Sequence, residues 1–292
     1  FMKNRKKQLL LLVVCAVTFC LFGCNKSENE SYLQLMQEQG ITDNSQNHWQ
    51  NNDSESVQIS PNGIFVSGVK DKTDKTLYQI ENGTYKKIAE QAYDFFESEG
   101  KVYYYNRENK IYCYHIETEN TTMVFSVPTD ISWIGLYNKN MLCARRNGIY
   151  NKVLELYDLD GKCVKTYFDE RGRFGQMVRI GRFVVSLENL KAEVYDLENE
   201  KSHYLIWEEG LSDSFMVSDQ ENLYISVGRY TIEGNYSTSN VDSKWNGLWK
   251  ISLQDMEKDK WELTKISDHS YSKFYCVENK LFDEKFTLIE ES

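Results

Sequence analysis

One short pattern recurs along this chain, and it limits the folds that the sequence can adopt. The pattern is an apolar residue, an aromatic residue, any residue, Ile or Leu, and then a polar turn. It occurs at residues 77–82, 113–118, 156–161, 194–199 and, more loosely, 248–252. Its aromatic residues are 36, 43, 38 and 54 residues apart, at Tyr78, Tyr114, Tyr157, Tyr195 and Trp249. A period of about 40 residues, made of alternating apolar residues, indicates a β-repeat fold.

Each copy of the pattern is preceded by a predicted hairpin and followed by another predicted strand. The hairpins turn at polar tips such as Pro61-Asn62-Gly63 and Asn138-Lys139-Asn140. Asn and Gly at such tips adopt the left-handed conformations that tight hairpins require. Four antiparallel strands in about 40 residues are typical of one β-propeller blade. The sequence therefore predicts an all-β fold, a β-propeller of four-stranded antiparallel blades, with the motif aromatics packed between blades rather than stacked on sugars.

The number of blades depends on the last repeat, which is incomplete. A hairpin is predicted at residues 274–282 and a degenerate motif at Phe286, but no fourth strand precedes Ser292. A propeller has to close its ring, because an open blade edge promotes aggregation. We expect six blades, the last completed by residues 32–36, and five blades with a loose C-terminus is the alternative. A solenoid or two stacked β-sandwiches are the third alternative for the fold.

The N-terminal sequence predicts the cellular localisation of the protein. Lys3, Arg5, Lys6 and Lys7 precede an apolar run of 14 residues, from Leu9 to Phe22. That run is shorter than the roughly 20 residues of a membrane span, and it is typical of a secretory signal. It ends in Leu21-Phe22-Gly23-Cys24, which resembles the lipobox of bacterial lipoproteins. An ordinary signal peptide or an uncleaved anchor is the alternative.

The lipobox resemblance implies a domain order and a location. Cleavage would fall before Cys24, whose thiol would carry the lipid, so residues 1–23 are the predicted signal peptide. Residues 24–56, rich in Asn, Gln, Ser and Glu, form a predicted polar tether, and residues 57–292 form the propeller domain. This organisation resembles exported bacterial propeller lipoproteins, although no blade carries a family-specific signature. It implies anchoring to the outer face of the cytoplasmic membrane.

The charge of the mature domain argues against nucleic acid as a partner. The whole chain has 34 basic and 44 acidic residues, a net charge of −10. Removing the leader takes away four basic residues and no acidic one, which leaves 30 against 44, or −14. A domain of this charge is repelled by phosphate backbones.

No motif in the sequence indicates a cofactor, a metal or a known catalytic mechanism. The histidines lack metal-binding spacing, and no P-loop, GxSxG or dinucleotide fingerprint is present. We therefore expect no metal and no cofactor. Four cysteines follow Cys24, namely Cys113, Cys143, Cys163 and Cys276. Their spacing favours free thiols over disulfides, and all but Cys163 are expected to be small buried residues on strands.

The candidate binding residues are arginines and large aromatics on one predicted face. In a propeller, the loops from second to third strand and from blade to blade open on the same face, where ligands often bind. The fifth repeat carries a loop at 228–247 that is longer by about fifteen residues, and long loops are often functional. Arg and aromatic residues are enriched in binding hot spots. The candidates are Arg145, Arg146, Tyr150, Arg171, Arg173, Arg229, Tyr230, Tyr236 and Trp245. The alternative is a floppy hairpin with scattered surface arginines.

The sequence thus favours a monomeric binding protein over an enzyme. Its ligand would be a peptide, a partner protein or a glycan, and the lipid on Cys24 would attach it to the membrane. A glycan hydrolase or lyase with loop carboxylates is the main alternative, and it requires two carboxylates about 5–10 Å apart in a pocket. The other alternative is a structural scaffold subunit, which would have a flat apolar face.

Overall fold

A computed structural model gives the architecture of the repeat domain. It describes residues 56–60, 62–67, 75–81, 84–148, 151–172, 174–188, 191–207, 214–219, 221–228, 244–271, 274–277, 280–283 and 287–289. The chain divides into residues 1–42 and 43–292, and every described residue belongs to the second unit. The leader, the tether and the predicted closing strand at 32–36 lie outside the described residues. Within the described ranges, no helix is long and apolar enough to cross a membrane.

The described strands form a β-propeller of five antiparallel four-stranded blades, each with its strands in sequence order. Blade 1 contains β1 Ser56–Ser60, β2 Gly63–Ser67, β3 Leu77–Glu81 and β4 Thr84–Ala89. Blade 2 contains β5 Asp94–Ser98, β6 Lys101–Tyr105, β7 Lys110–His115 and β8 Asn120–Ser126. Blade 3 contains β9 Ile131–Tyr137, β10 Asn140–Asn147, β11 Asn151–Tyr157 and β12 Cys163–Arg171. Blade 4 contains β13 Gln176–Ile180, β14 Phe183–Glu188, β15 Lys191–Asp196 and β16 Lys201–Trp207. Blade 5 contains β17 Ser214–Ser218, β18 Asn222–Val227, β19 Gly247–Ser252 and β20 Thr264–Ser267.

The expectation of six blades is wrong, because the structure has five. After blade 5, β21 (Phe274–Val277) and β22 (Lys280–Asp283) form a two-stranded hairpin. A single bridge then joins Phe282 to Leu288. The sixth repeat lacks a fourth strand pattern in its sequence, and its described residues supply only this hairpin, whose first strand contacts β17.

The recurring motif forms the third strand of each blade, as predicted, in β3, β7, β11, β15 and β19. Its aromatic residues pack mainly between blades. Tyr114 of blade 2 is 4% exposed and lies in a cluster with Phe65 and Leu77 of blade 1. Tyr157 of blade 3 is 6% exposed and stacks on Phe125 of blade 2, with ring centroids 5.4 Å apart. The burial of these large rings supplies much of the cohesion between blades.

Two buried glutamines connect neighbouring blades through the main chain, and the sequence did not predict them. Gln176 of β13 donates from Nε2 to the carbonyl of Met216 in β17 (3.0 Å) and accepts the Met216 N–H at Oε1 (2.8 Å). Gln58 of β1 makes the same two bonds to Glu97 of β5, at 3.3 and 2.5 Å. Each amide therefore satisfies an edge peptide group that no neighbouring strand reaches.

The fifth blade has a short helix in its third-to-fourth connection. This one-turn helix, α1 (Leu253–Glu257), forms because Ser252 caps it, accepting the Asp255 N–H at 3.0 Å. The fourth strand begins at Thr264. Trp261, before that strand, stacks on His203 of blade 4, with ring centroids 4.0 Å apart.

The four described cysteines are free thiols, as the sequence favoured. Cys113, Cys143 and Cys276 are buried in strands, whereas Cys163 is exposed. Burial raises the pKa of both Cys113 and Cys143, so these two thiols stay protonated and serve as small apolar residues.

Candidate functional site

A cavity of about 660 Å³ opens at one end of the propeller. We call this end the turn face, because it carries the turns that join first to second and third to fourth strands. The opposite end, with the second-to-third loops and the blade connections, is the loop face. Blades 2 to 5 contribute the cavity lining, which is Ser98, Glu99, Lys101, Tyr103, Leu136, Tyr137, Asn138, Lys139, Leu159, Arg179, Gly181, Arg182, Glu198 and Glu257.

Tight hairpin turns form the rim of the cavity. Asn138 and Lys139 have φ of 50° and 64°, and Glu99 and Gly100 have φ of 53° and 74°. Two successive left-handed residues match the twist of the flanking strands and keep the connection short. The first strands therefore end beside one another, and their last side chains can line a common space.

Two carboxylates bind the guanidinium of Arg182 at the edge of the cavity. Its Nε and Nη2 lie 3.1 Å from Oδ2 of Asp196, and its Nη1 lies 3.2 Å from Oε2 of Glu198. Burial would raise the pKa of Asp196, but hydrogen bonds from Asn199 and Glu198 and the charge of Arg182 lower it. The carboxylate of Asp196 is therefore held ionised behind the lining, and Arg182 is neutralised by protein groups.

Arg179, unlike Arg182, has no carboxylate partner among the described residues, as is also true of Lys101 and Lys139 in the lining. Arg179 is the fourth residue of β13, half-buried in an otherwise buried strand. Its Nη1 donates to the carbonyl of Gly181 at 2.5 Å. In the described part of the chain, no carboxylate lies within ion-pair distance of its guanidinium. Burial lowers the pKa of Arg179, although a guanidinium stays protonated even so.

Two tyrosines supply neutral hydroxyl groups to the lining. Burial raises the pKa of Tyr103 to about 12. Burial, followed by the nearby charge of Glu198, also raises the pKa of Tyr137, whose hydroxyl donates to Oε1 of Glu198 at 3.4 Å. Leu136 and Leu159 add apolar surface. The cavity therefore combines a cation, hydroxyl donors and apolar patches, the composition of a small-ligand site.

Arg145, the first of the sequence candidates, is buried and paired on the loop face. It is 6% exposed, and its Nε and Nη2 donate to Oε2 of Glu155 at 2.8 and 2.5 Å. Its Nη1 donates to the hydroxyl of Thr129. Tyr157 also donates to Oε2 of Glu155, at 2.5 Å. These partners occupy the guanidinium and give Arg145 a structural role within blade 3.

Three other candidates are described. Arg146 and Arg171 are both exposed at the loop-face end of blade 3, where Asn147, Asn151 and Arg171 align across β10, β11 and β12. Trp245 packs edge-on against Trp249, with centroids 5.2 Å apart, at the margin of the core shared by blades 4 and 5. The remaining candidates lie outside the described residues, namely Tyr150, Arg173, Arg229, Tyr230 and Tyr236.

Arg145, Arg146 and Arg171 lie at the same end of blade 3, and the cavity described above lies at the other end of the propeller. The loop-face site stays a prediction, because five of its nine residues lie outside the described residues. The sequence did contain a signal for Arg179. It stands two residues before the first-to-second turn, where blade 1 has Ile59, blade 3 has Leu136 and blade 5 has Val217, although blade 2 has Glu97 there. A charged residue at a position that is apolar in three of the other four repeats indicates a local role. For a metal, the described residues offer no group of three His, Cys, Asp or Glu side chains that could hold one.

Comparison with known proteins finds only distant structural similarity. No family model matches the sequence, and no curated protein is significantly similar to it. Among solved structures, the computationally designed Ika8 protein is 9% identical, with a TM-score of 0.45 over 86% of this chain and 87% of that one. The acylaminoacyl peptidase of Pyrococcus horikoshii is 12% identical, with a TM-score of 0.48 over 86% of this chain but only 43% of the peptidase. An oligogalacturonate lyase in complex with manganese is 8% identical, with a TM-score of 0.45 over 84% and 78% of the two chains. No functional conclusion follows from similarity at this level.

Proposed function

We propose that this protein is a membrane-anchored, extracytoplasmic binding protein whose ligand occupies the turn-face cavity. In this proposal, Cys24 carries the lipid and residues 24–56 connect it to the propeller. The ligand is a peptide, a partner protein or a glycan that reaches the outer face of the cytoplasmic membrane.

The observation that carries the binding proposal is the cavity itself. Its volume of about 660 Å³ lies within the roughly 300–1,000 Å³ of small-ligand sites. Its lining mixes charged, hydroxyl and apolar side chains from four blades. The described residues of the loop face support binding less, because the guanidinium of Arg145 is already bound to Glu155. The proposed site is therefore the cavity on the turn face rather than the loop face.

A cavity-filling substitution tests the binding site. Ser98, the half-buried last residue of β5, lines the cavity, and Ser98→Trp introduces a large side chain there. Ser126→Trp is the matched control, because Ser126 is the exposed last residue of the outer strand β8. Libraries of short peptides and oligosaccharides are screened by thermal shift against wild type and both variants.

We expect compounds that raise the melting temperature of wild type and of Ser126→Trp but not of Ser98→Trp. Equal stabilisation of all three proteins would contradict a site in this cavity. Turnover of an oligosaccharide by the wild-type protein would favour the hydrolase or lyase instead.

The membrane anchor is tested separately. Cys24→Ala removes the thiol to which the lipid would attach, and a protein held by a diacylglyceryl group should then leave the membrane fraction or stay unprocessed. Fractionation and gel migration identical to those of wild type would contradict the lipoprotein proposal.

A further inference from the structure

The strand geometry directs Arg179 into the space between blades 3 and 4. Side chains alternate along β13, so Arg179 shares a strand face with Met177, while Val178 and Ile180 share the other. Met177 belongs to the core cluster that joins blades 3 and 4, and Val178 and Ile180 belong to the cluster that joins blades 4 and 5. Arg179 therefore projects toward blade 3, consistent with the influence of Tyr137 on its pKa.

The position of Arg179 is fixed at its backbone as well as its side chain. Ser218 of blade 5 donates from its hydroxyl to the Arg179 carbonyl at 3.2 Å. The Arg179 guanidinium in turn donates to the carbonyl of Gly181, which follows in the turn after β13. An arginine held in this way loses little conformational freedom when it binds a ligand, because its side chain is already ordered.

Among the described residues, the partners of Arg179 use only part of its hydrogen-bonding capacity. A guanidinium carries five N–H donors, and the bond to Gly181 uses one of them. A half-buried cation that lacks an opposite charge is costly to desolvate, so proteins normally pair it. Arg182, three residues further on, shows the paired arrangement with Asp196 and Glu198. Lys101 and Lys139 also lack a carboxylate partner among the described residues, but Arg179 is the guanidinium of the lining that keeps donors for a ligand.

We propose that Arg179 binds a carboxylate group of the ligand, an inference that rests on the proposed binding function of the cavity. The planar guanidinium fork matches the two oxygens of a carboxylate and can bind both at once. The neutral hydroxyls of Tyr103 and Tyr137 and the apolar side chain of Leu136 line the same cavity and can contact the uncharged remainder of the ligand.

The charge of the whole lining favours one carboxylate over a polyanion. Four cationic side chains line the cavity against three carboxylates, and Asp196 lies behind Arg182. The lining is therefore close to neutral, with the exposed Glu99 and Glu257 on its rim. A ligand with several negative charges would be repelled by these carboxylates, whereas a single carboxylate can reach Arg179.

Two sources of a single carboxylate are compatible with this chemistry, and matched probes separate them. The first pair is an N-acetylated tetra-alanine peptide with a free C-terminal carboxylate and the same peptide with a C-terminal amide. The second pair is glucuronate and glucose. Binding is measured by isothermal titration calorimetry on wild type, Arg179→Gln and Arg179→Lys.

The matched control is Arg107→Gln. Arg107 is an exposed arginine in the turn between β6 and β7, on the loop face, away from the cavity. Arg179→Gln keeps an amide that can still donate to Gly181, and Arg179→Lys keeps the charge while removing the fork. Urea unfolding of each variant verifies that the fold is intact, and Arg179→Lys takes over the test if Arg179→Gln does not fold.

We expect wild type and Arg107→Gln to bind the carboxylate member of at least one pair and to bind its neutral partner much more weakly. A charge-assisted hydrogen-bond pair contributes about 1.5–3 kcal/mol, so Arg179→Gln should bind about 10–100-fold more weakly. Arg179→Lys should lie between the two. The pair that discriminates identifies the source, a peptide terminus or an acidic sugar.

Three results would overturn the inference: equal binding of charged and neutral probes, no loss in either Arg179 variant, or no binding of either carboxylate probe to wild type. Failure of the wider proposal looks different. If ligands from the thermal-shift screen are blocked by Ser98→Trp but unaffected by Arg179→Gln, the cavity binds ligands and only the carboxylate inference is wrong. If Ser98→Trp blocks nothing, the cavity is not the binding site.

Discussion

Replacing Gln176 by Leu tests whether the buried glutamine bridges stabilise the junctions between blades. Gln176 is 6% exposed, and its amide makes two hydrogen bonds to the backbone of Met216, a residue that is 0% exposed. Both bonds leave the edge of β17 that faces away from β18. Gln176→Leu has similar volume and removes both bonds, so it leaves the Met216 N–H and C=O without partners at a site closed to water.

The cost follows from those two peptide groups. A buried N–H or C=O left unsatisfied costs about 1–3 kcal/mol, so two cost roughly 2–6 kcal/mol. Leucine is more apolar than glutamine, and its burial offsets roughly 1–2 kcal/mol of that cost. We expect the free energy of unfolding to fall by about 2–4 kcal/mol. With a urea dependence of about 3 kcal/mol per molar, the midpoint should fall by about 1 M.

Urea unfolding followed by tryptophan fluorescence measures this change, and Gln79→Leu is the matched control. Gln79 is 3% exposed, but it donates one 3.3 Å bond to the Asn62 carbonyl, and its Oε1 accepts no hydrogen bond from the described residues. Its replacement should therefore cost less than about 1 kcal/mol. If Gln176→Leu costs no more than Gln79→Leu, the glutamine does not act as a bridge, and the blades are held by apolar packing alone.

Two further predictions concern buried charges and tyrosines. Lys152 lies 3.0 Å from carboxylate oxygens of both Glu193 and Glu170, so Lys152→Met should destabilise by about 3–5 kcal/mol at neutral pH. Burial would raise the pKa of Glu193, but Lys152 lowers it below 4.5. In urea titrations, the loss of stability caused by Lys152→Met should therefore be complete above pH 4.5 and should shrink as the pH falls. A penalty that does not depend on pH would contradict the ion pair. Burial raises the pKa of Tyr103 and Tyr167 from 10.0 to about 12. The urea midpoint of unfolding should therefore fall between pH 10 and 12, and it should fall less steeply in Tyr103→Phe. A urea midpoint that does not change over this pH range would contradict the prediction.

The strands could be predicted from the sequence because their signal is local. Alternating apolar residues and turn residues define each hairpin, and the third-strand motif lies on observed strands in all five blades. The tip predicted at Asn138-Lys139-Asn140, for example, joins β9, Ile131–Tyr137, to β10, Asn140–Asn147. The repeat period then implied a propeller, since antiparallel blades of this length pack side by side.

The blade number and the position of the cavity could not be predicted in the same way, because they depend on contacts between distant residues. Closure of the ring involves segments far apart in the chain, and the repeat pattern contains no information about which segments pair. The cavity is formed by short turns of blades 2 to 5, and each turn alone looks like an ordinary hairpin. Loop length is visible in the sequence, whereas the convergence of turns is not. The loop-face site predicted from the loop at 228–247 stays a prediction, because residues 229–243 lie outside the described residues.

The polar bridges between blades follow the period of the repeat. Gln58 bonds Glu97, Asp94 accepts the Ile134 N–H, and Gln176 bonds Met216, at separations of 39, 40 and 40 residues. These separations match the repeat period, because each bridge joins the first strand of one blade to the first strand of the next. Apolar packing alone tolerates small slips of one blade against another, whereas a bond to a specific peptide group fixes the register. A Gln or Asp at an otherwise apolar position of a predicted first strand therefore indicates a blade junction.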